Sequence, residues 1–179
     1  RINGTPISSQ DLEEVTLLVR DAAEAMTDHP TEFELMTAVA FLYFSRQSCD
    51  IVVAEVGLGG RLDSTNVIAA PEVGVIAPIS YDHCALLGNT LTEIAGEKAG
   101  IIKSDMTVVS ANQENEAAEV LKRVAADKGA QLRFVNSESV QGTNKDFSYS
   151  SHKGVLYEHL ALGLVGSYQR FNAALALEA

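Results

Sequence analysis

The sequence predicts an α/β fold, a mostly parallel sheet with helices on both faces. Two observations carry that prediction. Apolar runs of strand length alternate along the chain with segments of helical period, the pattern of βαβ units. The runs at 50–56 and 73–79 are also apolar almost throughout, as parallel strands buried on both faces are.

Taken in order, Ser8 and Ser9 can cap a helix whose apolar positions are Leu12, Val15, Leu18, Val19, Ala22 and Met26, one buried face at helical spacing. His29-Pro30 breaks it. A second helix over 31–46 carries Phe33, Met36, Ala40, Phe41 and Phe44 on its apolar side. The run at 50–56 reads as a fully buried parallel strand interrupted by one acid, Glu55, and ending in the loop Gly57-Leu58-Gly59-Gly60. The run at 73–79 is a second buried strand. Thr90 and Glu93 form a capping box for a helix ending near Ile102. A strand at 107–110, a helix at 114–128 and a strand at 132–135 complete the alternation. After Asn136 the pattern changes. Segments 147–149 and 155–159 flank a polar turn with Gly154 and read as a hairpin at the sheet edge, and a further helix opens near Ser167.

The chain has 179 residues, 46% apolar and 21% charged, with a formal charge of −11. That balance suits a soluble globular domain and argues against a nucleic-acid or anionic-membrane surface as the main partner. Any positive charge needed for anionic substrates must be concentrated locally or come from metal ions. Cys49 and Cys84, with no C-x-x-C spacing, cannot build a disulfide framework, so a cytoplasmic setting is expected. No apolar run reaches the roughly 18 residues of a membrane helix. The chain opens on Arg1, and its last helix has no Gly or Asn cap, so it reads as a fragment of a longer protein.

Four places combine unusual residues with positions at strand ends, where open α/β sheets bind ligands. Glu55 sits in an apolar strand and should be poorly solvated, unless that strand lies at an edge. The loop from Gly57 through Asn66 could bring backbone close to a ligand, but it matches neither G-x-G-x-x-G nor G-x-x-x-x-G-K-[ST] and on its own reads as a turn. Asp82-His83 follows the second strand, so His83 and Glu55 could converge on a divalent metal, although a lone His is more often structural. Lys98, in Glu97-Lys98-Ala99-Gly100, would alone pass as a solvated helix lysine.

Together these phrases are far more specific. The run from Glu55 to Asn66, Asp82-His83 with Leu87-Gly88-Asn89-Thr90, and 94–101 resemble the folylpolyglutamate synthase/dihydrofolate synthase family in order and spacing. Segment 31–38 resembles that family upstream, and Gly166-Ser167-Tyr168-Gln169-Arg170-Phe171-Asn172-Ala173 resembles its Gly-x-His-Gln-x-x-Asn-Ala segment. The family is similar to the Mur ligases, with a Rossmann-like central ATPase domain and a smaller ligand domain. The resemblance therefore implies that residues 1–179 form an incomplete Mur-ligase-type ATPase domain, with the phosphate-loop segment and the C-terminal ligand domain lying elsewhere. It implies an ATP-dependent ligase that adds L-glutamate to folate or dihydropteroate through an acyl phosphate.

Carried over residue by residue, the resemblance makes Glu55, His83 and Lys98 the catalytic and metal-binding group. Two Mg²⁺ ions are implied, and Lys98 is carbamylated, which turns a cation into an anionic ligand. Asn172 contacts ATP, and Thr31, Phe33, Asp63 and Ser64 lie around the pterin. Mg²⁺ would supply the positive charge that the acidic chain lacks. Three departures stand out: no phosphate loop, no C-terminal domain, and Tyr168 where the family usually has His. The fragment alone should be inactive or nearly so, and a monomer is expected. It should also expose an unpaired sheet edge if a preceding strand belongs to the same sheet. A Mur-type peptidoglycan ligase and a non-catalytic folate- or nucleotide-binding module remain as alternatives, and the sequence does not choose between first-glutamate addition and chain extension.

Overall fold

A computed structural model describes all residues 1–179. The chain divides into two compact units, Arg1–Gly57 with Asp63–Val67, and Leu58–Leu62 with Ile68–Ala179.

The first unit is a helix pair. Helix α1, Ser9–Glu24, starts at Ser8, whose hydroxyl accepts from the Asp11 N–H. Helix α2, Glu32–Arg46, opens with a reciprocal capping box between Thr31 and Glu34. The two pack as an αα-hairpin, and Arg46 at the end of α2 pairs with Glu14 near the start of α1. Before them, Asn3-Gly4, both at positive φ, turn the chain between Ile2 and Thr5.

Two expectations are corrected here. The helices do not bury full apolar faces: Val15 and Thr37 are their only buried residues, while Leu12, Leu18, Phe33 and Met36 are exposed. Two packed helices cover only one stripe on each other, and nothing else in this unit covers the rest. The run at 50–56 is not a strand. It is irregular and unpaired, with Ile51 83% and Val53 94% exposed, and Glu55 is exposed rather than desolvated. Apolar composition favours a buried strand, but a ladder needs a neighbour, and this segment has none in the chain.

The second unit holds the expected α/β layer. Strand β1 (Val73–Ile76) leads through a short helix α3 (Cys84–Leu87) and α4 (Leu91–Ala99) to β2 (Thr107–Ala111). Helix α5 (Asn115–Lys128) then leads to β3 (Gln131–Val135). The sheet order is β1-β2-β3, all parallel, with Val73 opposite Thr107 and Val109 opposite Arg133. Side chains alternate across β2. Val108 joins a core with Ile94 and Ala95 of α4 and Leu121 of α5, while Val109 faces a second core on the opposite side. The capping box at Thr90 and Glu93 forms as expected, although α4 ends at Ala99, short of Ile102.

The hairpin expectation was half right. Strands β5 (Asp146–Ser150) and β6 (Leu156–Leu160) pair antiparallel, but β4 (Val140–Thr143) joins them in a separate sheet of order β4-β5-β6, not at the edge of the parallel one. Helix α6, Gln169–Glu178, shares the second core: Ala174 and Leu175 pack with Val109, Ala111, Val140, Phe147 and Tyr149. Both faces of the parallel sheet are therefore covered, α4 and α5 on one and α6 with the small sheet on the other.

Candidate active site

In the second unit the carboxyl ends of β1, β2 and β3 and the start of α6 surround an open depression of about 190 Å³. Pro78 follows β1, Ala111 and Asn112 close β2, Val135 closes β3, and Tyr168, Phe171 and Asn172 come from the start of α6. Its lining is mostly apolar, with Asn112, Ser137, Tyr168 and Asn172 supplying the polar groups. The Asn172 amide is exposed and engaged only by Gln169 Oε1 at 3.2 Å.

Beyond β1 the chain runs to Asp82 and His83. His83 takes a left-handed backbone (φ 48) as the residue that starts α3. Its Nε2 stands 3.6 Å from Asp82 Oδ2, too long for a hydrogen bond, and the imidazole is exposed. Lys98 lies near the end of α4, half-buried, and its ammonium has neither a hydrogen bond nor an ion pair. Neighbouring Glu97 behaves differently. It takes the Arg61 guanidinium through Nε (3.1 and 3.2 Å) and Nη2 (2.9 Å), and its carbonyl accepts the Arg61 N–H at 2.8 Å. A Cβ on Gly60 would lie 3.0 and 3.1 Å from the carbonyl oxygens of Glu97 and Lys98. This stretch of the glycine-rich loop thus docks the chain onto the end of α4, and glycine is needed for that approach.

In the first unit, the expected substrate residues gather around Gly57. The Phe33 ring lies so close that a Cβ on Gly57 would sit 2.5 Å from its Cζ. Asp63 accepts from Gly57 N–H at 3.0 Å and from the N–H and hydroxyl of Thr65 at 2.9 and 2.6 Å, so its carboxylate shapes the loop. Ser64 Oγ meets Thr37 Oγ1 at 3.1 Å. Thr31 caps α2, and the hydrogen bond from its backbone N–H, then that from its hydroxyl, hold the Glu34 carboxyl below the usual carboxylate range. Phe33, Asp63 and Ser64 are thus brought together, while Thr31 is occupied by the helix start. Glu55, in the same unit, is an exposed carboxylate, and neither unit gathers three or more His, Cys, Asp or Glu side chains into a metal-binding group.

Residues 9–179 match the Mur ligase middle domain family. The chain belongs to that family. It is 40% identical over 187 residues to a dihydrofolate synthase/folylpolyglutamate synthase of Bacillus subtilis, covering 98% of this chain and 43% of that protein. Among solved structures it is similar to an FPGS–AMPPCP–folate complex, with TM-score 0.88, 37% identity, and 97% and 45% of the two chains covered. It is also similar to Mycobacterium tuberculosis folylpolyglutamate synthase complexed with ADP and AMPPCP, with TM-score 0.83, 34% identity, and 98% and 43% covered. The chain spans less than half the length of these relatives.

Within this Mur ligase middle domain, three supporting residues escaped sequence reasoning. Gln113 bonds to backbone and side chain at the ends of β1 and β2. Asn144, in the turn between β4 and β5, donates to the carbonyls of Leu164 and Gly166 at 3.2 and 2.7 Å and so fixes the approach to α6. Glu178 closes α6 onto the small sheet: the Tyr149 hydroxyl and the His152 N–H donate to it, and Arg133 stands at 4.0 Å. Burial pulls the Glu178 carboxyl upward, but those hydrogen bonds outweigh it and hold the group below its ordinary range. Burial, then the bond to Glu178, pushes the Tyr149 phenol well above its ordinary value. None of the three carries a motif; each matters through a contact distant in sequence.

Proposed function

We propose that this chain is part of an ATP-dependent amide ligase that adds L-glutamate to folate or dihydropteroate. The observation that carries this reading is the match of 97% of the chain, at TM-score 0.88, to a folylpolyglutamate synthase complex holding AMPPCP and folate. The apolar depression at the carboxyl ends of β1 to β3 supports it, because that is where an α/β sheet receives a nucleotide. The relatives the chain resembles at 37–40% identity are folate enzymes, which favours this reading over a muropeptide ligase.

In this reading the γ-phosphoryl group of ATP passes to a carboxylate oxygen of the pterin substrate and ADP departs. The amine of glutamate then attacks the acyl carbon, the C–N bond forms, the amine gives up a proton and inorganic phosphate leaves. Asn172 and the walls of the depression hold the nucleotide base. Phe33 offers an exposed ring face for a pterin, with Asp63 and Ser64 shaping the loop beside Gly57 and Thr31 fixing the start of α2.

The residues present suit Mg²⁺. His83 is only loosely held by Asp82, Glu55 is an unencumbered carboxylate, and Lys98 has a partnerless amine. As a neutral amine, Lys98 can add CO₂, forming an N–C bond with loss of a proton, and so become an anionic ligand. On the family resemblance, Glu55 in the first unit, and His83 and carbamylated Lys98 in the second, are each a proposed Mg²⁺ ligand, and Mg²⁺ when bound would supply positive charge to the phosphates. No helix is long and apolar enough to cross a membrane; a cytoplasmic, monomeric enzyme is part of the proposal.

The test uses the full-length protein with ATP, Mg²⁺, glutamate and either dihydropteroate or tetrahydrofolate, beside Lys98→Ala. Product from either pterin, a Lys98→Ala loss of about 10² to 10³ and partial rescue by a small carboxylate are expected. Absence of product from both pterins would sink the folate assignment.

A further inference from the structure

The parallel ladder between β1 and β2 stops at Ile76 opposite Ser110, yet the chain beyond β1 stays in place for several more residues. Gln113 takes over from the ladder there. Its Oε1 accepts the Ile79 N–H at 2.8 Å, and its Nε2 donates to the Ala77 carbonyl at 3.0 Å. One amide thus satisfies a donor and an acceptor two residues apart, as a neighbouring strand would, which neither a carboxylate nor a hydrocarbon side chain can do. The same Nε2 reaches Ser110 Oγ at 3.0 Å, and Ser110, fully buried, in turn donates to the Ala111 carbonyl. Ile79, 5% exposed, anchors the loop in the core.

Pro78 lies between the two backbone groups that Gln113 grips, and it lines the depression together with Ala111 and Asn112 of the other gripped strand end. The same loop continues to Asp82 and His83. From this geometry we infer that Gln113 is a positioning residue for the nucleotide. It touches no substrate; it holds the ends of β1 and β2 in the one arrangement that forms the floor of the depression and aims the backbone toward His83. The identity of the ligand rests on the proposed function.

The experiment uses full-length protein carrying Gln113→Met, which keeps the length and loses all three hydrogen bonds, and Gln113→Glu, which keeps an acceptor for the Ile79 N–H. AMPPCP affinity is measured by calorimetry beside the melting temperature, KM for ATP and kcat at saturating ATP. Gln113→Met should remain folded and weaken AMPPCP binding and raise KM for ATP by about tenfold or more, with kcat changed far less. Gln113→Glu should fall between it and the wild type. Wild-type affinity in a folded Gln113→Met protein, or lowered kcat with KM unchanged, overturns the inference. Should Gln113→Met fail to fold, Gln113→Glu decides by the same two readings. A wild-type protein that binds AMPPCP but makes no folate product defeats the activity reading and leaves Gln113 to be judged by affinity; one that binds no AMPPCP defeats both.

Discussion

Two glycines of α4 and its cap have opposite prospects. Gly96, inside the helix, has nothing within 4 Å of where a Cβ would be. Gly96→Ala should therefore stabilise by about 0.5–1 kcal/mol, because glycine loses more backbone freedom on folding than alanine. Gly100 has an ordinary helical backbone (φ −60), but a Cβ there would lie 2.3 and 2.4 Å from Arg61 Cβ and Cα. That atom must displace the loop held by Arg61 and Glu97, so Gly100→Ala should cost about 1–3 kcal/mol. Urea titrations of the two variants should move in opposite directions, and a shared direction would show that the Arg61 loop is not docked as described. Nothing local in the sequence separates these two glycines; only the chain returning over one of them does.

At the scale of elements, the parallel layer was legible because its apolar strands find their partners in the same chain. Runs 73–79 and 107–110 pair with each other, and the alternation across Val108 and Val109 follows from burial on both faces. The run at 50–56 has the same composition and stays unpaired, because composition records what a strand prefers and not whether a neighbour exists. Strand β4 was missed because Gln141, Gly142 and Thr143 are exposed and carry no apolar alternation. For the candidate site, the position of His83 past a strand end was readable, whereas Asn172, inside α6, and Asp63 were indicated only by the family resemblance. Gln113, Asn144 and Glu178 act through contacts that no spacing rule reaches. Helix α6 makes this testable. The depressed Glu178 carboxyl stabilises the fold above the unfolded carboxylate pKa, and this contribution disappears as pH falls through the lower folded value. Glu178→Gln should then lower stability by about 2 kcal/mol at neutral pH, and its denaturation midpoint should fall less on acidification than that of the wild type. Parallel pH profiles for the two proteins would rule out Glu178 as the titrating lock of α6.

For the chain as a whole, two opposing features govern its behaviour in solution. A net charge of −11 keeps copies apart, while the run at 50–56 offers unpaired backbone and apolar side chains together. Exposure within that run is uneven: Ile51 is 83% and Val53 94% exposed, whereas Val52 is 39%. Ile51 and Val53 are the most exposed apolar side chains of the run, and beside unpaired backbone they make a surface of the kind that templates pairing with another chain. Salt screens the repulsion but leaves the surface intact, so the isolated chain should self-associate increasingly as ionic strength rises from about 0.01 to 1 M. Val53→Lys places a charge in the middle of that surface and removes no buried contact, since Val53 is almost fully exposed. The variant should keep the wild-type stability to within about 0.5 kcal/mol and sediment as a smaller species at high salt. Equal sedimentation of the two proteins at every salt concentration would mean that the unpaired run is not the surface through which copies meet, and attention would shift to the uncovered faces of α1 and α2, where Leu18 and Met36 are also exposed.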